Sequence, residues 1–148
     1  MKVFFVGKVS EYDWRSEIVN WQETTQIDPE YEFMGPYYQY IGEGEDAKRS
    51  YIFNENIDKI GESDVIFAYI DTPDAYGALF ELGCAYTKRI PIYIYFKRGI
   101  DYRDFWFASF PAEQIFVVDD HLEAWDLFKD RFYFHKYQKI KKVSYKGD

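Results

Sequence analysis

The chain has 148 residues, 47% hydrophobic and 30% charged, which is ample for one domain over 1–148 with a real core. Its formal charge of −8 argues against a nucleic-acid polymer as partner, because phosphate backbones reward basic surfaces, and favours a small ligand. One cysteine, Cys84, and two histidines, His121 and His135, exclude an internal disulfide and a Cys/His zinc site, so no metal is expected.

Five apolar runs alternate with helical segments. That pattern predicts an α/β fold: a single flavodoxin-like (Rossmann-like) domain with a five-stranded, mainly parallel sheet and helices on both faces. Val3 to Val6 is a continuous apolar run closed by Gly7, and Asp13 to Glu23 follows with Trp14, Ile18 and Trp21 at helical spacing. Tyr31 to Met34 predicts a short second strand ended by Gly35-Pro36. A helix near Ala47 to Ile60 carries Ile52, Phe53, Ile57 and Ile60, with Gly61 as its C-cap. Val65 to Ile70, apolar on both faces between Asp64 and Asp71, is the central strand. Thr72-Pro73 then starts a helix, with the proline in a first turn where its missing N–H does no harm. Arg89 to Pro91 precede a fourth strand, Ile92 to Phe96. An irregular aromatic segment from Lys97 to Pro111 leads to a fifth strand near Ile115 to Val118 and a last helix, about His121 to Phe132.

The end of the chain holds five lysines between Lys136 and Lys146, read as a solvated or strand-edge tail without a function. No apolar run approaches the roughly 20 residues that span a bilayer, and MKVFFVGK turns polar too soon for a secretory signal. The expectation is a cytoplasmic protein without a membrane partner. An aromatic content of 22% fits either sheet packing or stacking on a planar ligand.

The stretch DAYGALFELGCAY contains one ionisable acid, Glu81, in a helix-length segment otherwise apolar, aromatic or glycine. Desolvating an unpaired carboxylate costs several kcal/mol, so such a residue needs a chemical reason. At helical spacing Gly77, Glu81, Cys84 and Ala85 share a face, which leaves space beside the carboxylate. Ligands of open parallel sheets bind at the carboxyl ends of the strands. That rule gathers Gly7 and Lys8 from strand one, Gly35, Pro36 and Tyr37 from strand two, and Asp71, Asp74, Tyr76 and Gly77 from strand three.

The run SDVIFAYIDTPDAYGALFELGCAY resembles the signature of the nucleoside 2-deoxyribosyltransferase family and its nucleotide N-glycosidase relatives. There, a strand ending in Asp leads through a small-residue turn to a Glu-x-Gly-x-Ala helix. VFFVGKVSEYDWR and the MGPYY segment are similar to the first βα turn and the Gly-Pro loop of the hydrolase-like branch. The resemblance implies that Glu81 is the nucleophile that attacks the anomeric carbon of a ribose or deoxyribose and expels the base, with no cofactor. It also implies a homodimer or higher homo-oligomer. Three positions depart from the family pattern. Asn56 and Ala75 stand where aspartates are common, with Asp74 able to substitute from one place earlier, and Ala78 stands where a threonine often follows the glycine. Asn56 and Ala75 lean toward a hydrolase or a narrow substrate range.

Several site residues have two readings. Asp71 is either a ligand for base or sugar hydroxyls or the N-cap before Thr72-Pro73. Asp13 either binds substrate or completes a capping box with Ser10. Lys8 and Arg15 hold a 5′-phosphate at a helix N-terminus or are solvent-facing charges. Trp14, Tyr37 and Tyr76 stack on the base or pack ordinarily. The expected activity is cleavage or exchange of the N-glycosidic bond of a nucleoside or nucleoside monophosphate. The alternatives are a non-catalytic nucleotide sensor and an NAD glycohydrolase.

Overall fold

A computed structural model of the protein describes residues 1–10, 13–20, 26–28, 30–37 and 46–130. The five expected strands form as β1 (Lys2–Val6), β3 (Tyr31–Gly35), β4 (Val65–Ile70), β5 (Ile92–Lys97) and β6 (Gln114–Val118). They run parallel in the order β3-β1-β4-β5-β6, and a short extra strand, β2 (Gln26–Asp28), pairs antiparallel with β3 at the edge. The helices are α1 (Asp46–Glu62), α2 (Tyr76–Thr87), α3 (Trp106–Ser109) and α4 (121–130). After β1 the sheet grows first toward β3 and then, on the other side, toward β4. The switch point therefore lies between the ends of β1 and β4.

Period-two alternation sends successive strand residues to different layers. Phe4, Val6, Ile66, Ala68, Ile70, Ile92, Ile94 and Phe96 share a core with Ile60 of α1 and with Ala78, Leu82 and Ala85 of α2. Val3, Phe5, Phe67, Tyr69, Tyr93 and Tyr95 form the opposite core with Trp14, Val19 and, from α4, Ala124, Trp125 and Phe128. The second layer is aromatic: Phe5 stacks on Trp14 at 5.7 Å between centroids, and Phe67 meets Trp125 edge-on at 5.3 Å. Such pairs each add about 0.5–1.5 kcal/mol beyond burial, so much of the aromatic content serves sheet packing.

Four local expectations are corrected. The helix expected from Asp13 is a single 3-10 turn, Trp14–Glu17, and the chain has left helical geometry by Val19. Adjacent Trp14 and Arg15 are both buried, whereas a surface helix buries one stripe. Trp21 and Glu23 lie outside the described residues. α2 starts at Tyr76, with Ala75 as an N-cap that makes no side-chain bond, and Pro73 stands in the turn before it. There the Thr72 hydroxyl donates to Asp74 Oδ1 at 2.6 Å, a local bond that competes with helix. Gly61 lies inside α1 rather than capping it; its bare Cα leaves room for Lys88, whose ammonium donates to the Ile57 carbonyl at 3.2 Å near the helix end. The irregular segment after β5 contains two short turns, Arg103–Phe105 and α3. Phe132 and the lysines from Lys136 to Lys146 lie outside the described residues. Among the described residues no helix is long and apolar enough to cross a membrane.

Candidate active site

Gly7 ends β1 at the switch point. A Cβ there would overlap the Tyr69 carbonyl oxygen of β4 and stand 3.2 Å from the Trp14 ring, so glycine is what lets the strand ends approach. Lys8 follows and pairs with Asp74 at 2.9 Å, both side chains about half exposed. The Thr72 hydroxyl and then Lys8 hold the Asp74 carboxyl below the usual carboxylate range, so it stays ionised at neutral pH.

Arg15 is not a solvent-facing charge; it is fully buried. One guanidinium nitrogen donates to both Asp13 oxygens at 2.8 and 2.9 Å, and the other to the carbonyls of Phe5 at 3.2 Å and Gly7 at 2.9 Å. Asp13 also accepts from the backbone N–H of Arg15 at 3.0 Å and of Ser10 at 3.1 Å, so half of the expected capping box is present. Burial lowers the affinity of Arg15 for its proton, and Asp13, Glu81 and Asp71 raise it again. Trp14, whose ring lies 4.5 Å below the guanidinium carbon and stacks on Phe5, is core and unavailable for stacking on a base.

Glu81 sits in the second turn of α2, between exposed Gly77 and fully buried Ala85. Its side chain is partly accessible, and its carboxyl makes no hydrogen bond or ion pair among the described residues. A Cβ on Gly77 would meet nothing within 4 Å, so space is open one turn before the carboxylate. Burial pushes the Glu81 carboxyl up to about 7, and the field of Arg15 opposes that rise. Asp71, at the end of β4, caps no helix and makes no hydrogen bond or ion pair among the described residues, so it stays available to a ligand.

The Gly-Pro loop is held by α1. Asn56 accepts from the Tyr37 N–H at 2.6 Å and donates to the Tyr37 carbonyl at 2.9 Å. Its amide is therefore engaged with backbone rather than offered to substrate. A Cβ on Gly35 would come within 2.5 Å of the Phe4 ring, which explains that glycine by packing, and Pro36 follows through a cis peptide. Tyr37 and Tyr76 are exposed, Tyr76 by 74%. Sequence reasoning missed Thr72 as the partner of Asp74 and the internal role of Arg15. The opposite charges of Asp13 and Arg15 on either side of Trp14, directly after a buried strand, were the available signal.

The sequence model of the nucleoside 2-deoxyribosyltransferase family matches residues 11–127. The chain belongs to that family. No curated protein matches it. Among solved structures, a 2-deoxyribosyltransferase from the psychrotolerant bacterium Bacillus psychrosaccharolyticus is 15% identical, covering 84% of this chain and 96% of its own, with a TM-score of 0.62. A conserved protein from Enterococcus faecalis V583 is 16% identical, covering 88% of this chain and 98% of its own, with a TM-score of 0.52. At these identities the likeness is one of fold, and it agrees with the flavodoxin-like strand order. Membership supports glycosyl transfer on nucleosides as the general chemistry of this deoxyribosyltransferase-family chain.

Proposed function

We propose that this family member cleaves or exchanges the N-glycosidic bond of a nucleoside through a covalent glycosyl intermediate on Glu81. The observation that carries the reading is a carboxyl beside the switch point that is partly accessible, desolvated and without a protein partner among the described residues. One Glu81 oxygen attacks C1′ as the C1′–N bond breaks; the bonding pair leaves with the base, which takes a proton. Water, or a second base, then attacks C1′ and returns the free carboxylate. Asp71 lies on the same edge and is the candidate ligand for sugar or base hydroxyls. Gly77 leaves open space, and exposed Tyr37 and Tyr76 are the candidate walls.

Asn56 and Asp74 support hydrolysis or a narrow range of acceptors, because neither supplies a neutral acid: the first is an amide tied to backbone, the second an ionised carboxylate. Burial of Arg15 leaves Lys8 as the remaining cation of the first turn, already paired with Asp74, which favours nucleosides over their monophosphates. The aromatic residues of α2 and α3 support a homodimer. Leu79, Leu82, Tyr86, Trp106, Phe107 and Phe110 line an open groove of about 620 Å³, of which Glu81 is not a lining residue. Trp106, Phe107 and Phe110 are 69%, 75% and 84% exposed. Unpaired patches of this kind mark protein contacts.

Chromatography of free base released from deoxynucleosides, ribonucleosides and their monophosphates, with Glu81→Gln as control, tests the reading. Base release by the wild type and none by the variant supports it. Binding across the panel without release would make the protein a sensor, and nicotinamide release from NAD would make it an NAD glycohydrolase.

A further inference from the structure

We propose that Phe53 of α1 and Phe80 of α2 form the base-side wall of the site and make it select nucleosides by the size of the base, purines ahead of pyrimidines. The proposal rests on Glu81 being the nucleophile beside which the sugar sits. Phe80 directly precedes Glu81, and its ring meets that of Phe53 with centroids 5.7 Å apart and planes tilted by 44°. Both rings are about half exposed, and neither belongs to either core. Exposed apolar rings grouped beside a site mark a place where something binds.

Helix geometry puts the pair at the mouth of the site. Residues three and four apart on a helix are neighbours, so Phe80 and Glu81 stand side by side one turn after Gly77. A Cβ on Gly77 would meet nothing within 4 Å, so the space they flank is open. That space faces α1: on the same side of α2, Phe80 touches Phe53 and, two turns on, the Lys88 ammonium reaches the Ile57 carbonyl at 3.2 Å. Asn56, one turn after Phe53, holds the Tyr37 backbone through bonds of 2.6 and 2.9 Å. Within one turn, α1 therefore fixes both a wall against Phe80 and the loop of Tyr37. Neither phenylalanine lines the groove of α2 and α3, which separates this wall from the self-association surface.

The chemistry of the wall sets what it reads. Neither ring carries a hydrogen-bonding atom, so the wall does not tell amino from keto groups on a base edge. It offers stacking area, and a bicyclic base covers more of that area than a monocyclic one.

Calorimetric titration of the full chain carrying Glu81→Gln with 2′-deoxyadenosine, 2′-deoxyguanosine and thymidine tests the proposal, because binding is then read without turnover. Phe53→Ala or Phe80→Ala, added to that chain, is expected to weaken both purine nucleosides about tenfold and thymidine by roughly threefold or less. Phe53→Tyr, which keeps the ring, should bind as the parent does; Phe53→Leu, apolar but without a ring, should behave as Phe53→Ala. Equal loss for all three nucleosides, loss for one purine alone, or no loss overturns the proposal. Unchanged binding with an altered sedimentation coefficient makes the pair a protein contact and overturns it as well. Should an alanine variant fail to fold, Phe53→Leu against Phe53→Tyr decides by the same criterion. Base release measured beforehand keeps the two readings apart. Release by Glu81→Gln overturns the nucleophile and the wall placed beside it, whereas no release with a loss that ignores base size overturns the wall alone.

Discussion

Asn56 of α1 closes a two-point bond on the backbone of Tyr37, taking the N–H at 2.6 Å and giving its own N–H to the carbonyl at 2.9 Å. An amide sets a donor and an acceptor side by side, whereas an ionised carboxylate only accepts, which accounts for asparagine rather than aspartate at this position. Asn56→Asp replaces the donor by an oxygen that faces the Tyr37 carbonyl. It is expected to lower stability by about 1 kcal/mol, read as a fall in the urea midpoint with an unchanged slope, and to raise KM as the Gly35-Pro36-Tyr37 loop loosens. An unchanged midpoint would mean that the clamp carries no weight.

The raised Glu81 carboxyl has a stability consequence of definite sign. Its folded value of about 7 lies above the ordinary 4.5, so the folded state binds the proton more tightly and stability falls as pH rises between those values. Glu81→Gln removes the group. The variant should match the wild type near pH 4 and exceed it by up to roughly 3 kcal/mol above pH 7, measured by denaturation across that range. A constant difference at every pH would show that Glu81 is not desolvated.

Thr72 and Lys8 lower the Asp74 carboxyl, which disfavours it as a general acid in the proposed reaction. In Asp74→Asn the alkaline limb of the kcat profile is expected to keep its position. Loss of that limb would restore Asp74 to the role.

The aromatic face on α2 and α3 predicts self-association. Phe107→Asp combined with Phe110→Asp should convert a dimer to a monomer in sedimentation velocity. A wild-type protein that sediments as a monomer at micromolar concentration would place the homodimer expectation in error.

The sheet was legible because its strands are buried on both faces and read as unbroken apolar runs, Val65 to Ile70 most clearly. The edge strand β2 was not legible, since three residues with Gln26 and Asp28 at the ends carry no periodicity. Glu81 was conspicuous because one acid among apolar residues conflicts with local composition. Arg15 was misread because a charged side chain beside a turn defaults to solvent, and only tertiary packing places it under β1. Asn56 and Tyr37 are 19 positions apart, and no local pattern links an amide on one element to the backbone of another.

The central claim is a bond between Glu81 and C1′, and mass spectrometry of the protein after incubation with a 2′-fluoro-substituted nucleoside tests it most directly, because an electron-withdrawing substituent slows turnover of a glycosyl-enzyme. The account predicts a mass increase equal to one fluorinated sugar, mapped to the peptide containing Glu81 and absent from Glu81→Gln. Base release with no adduct on Glu81, or an adduct on another residue, would contradict it.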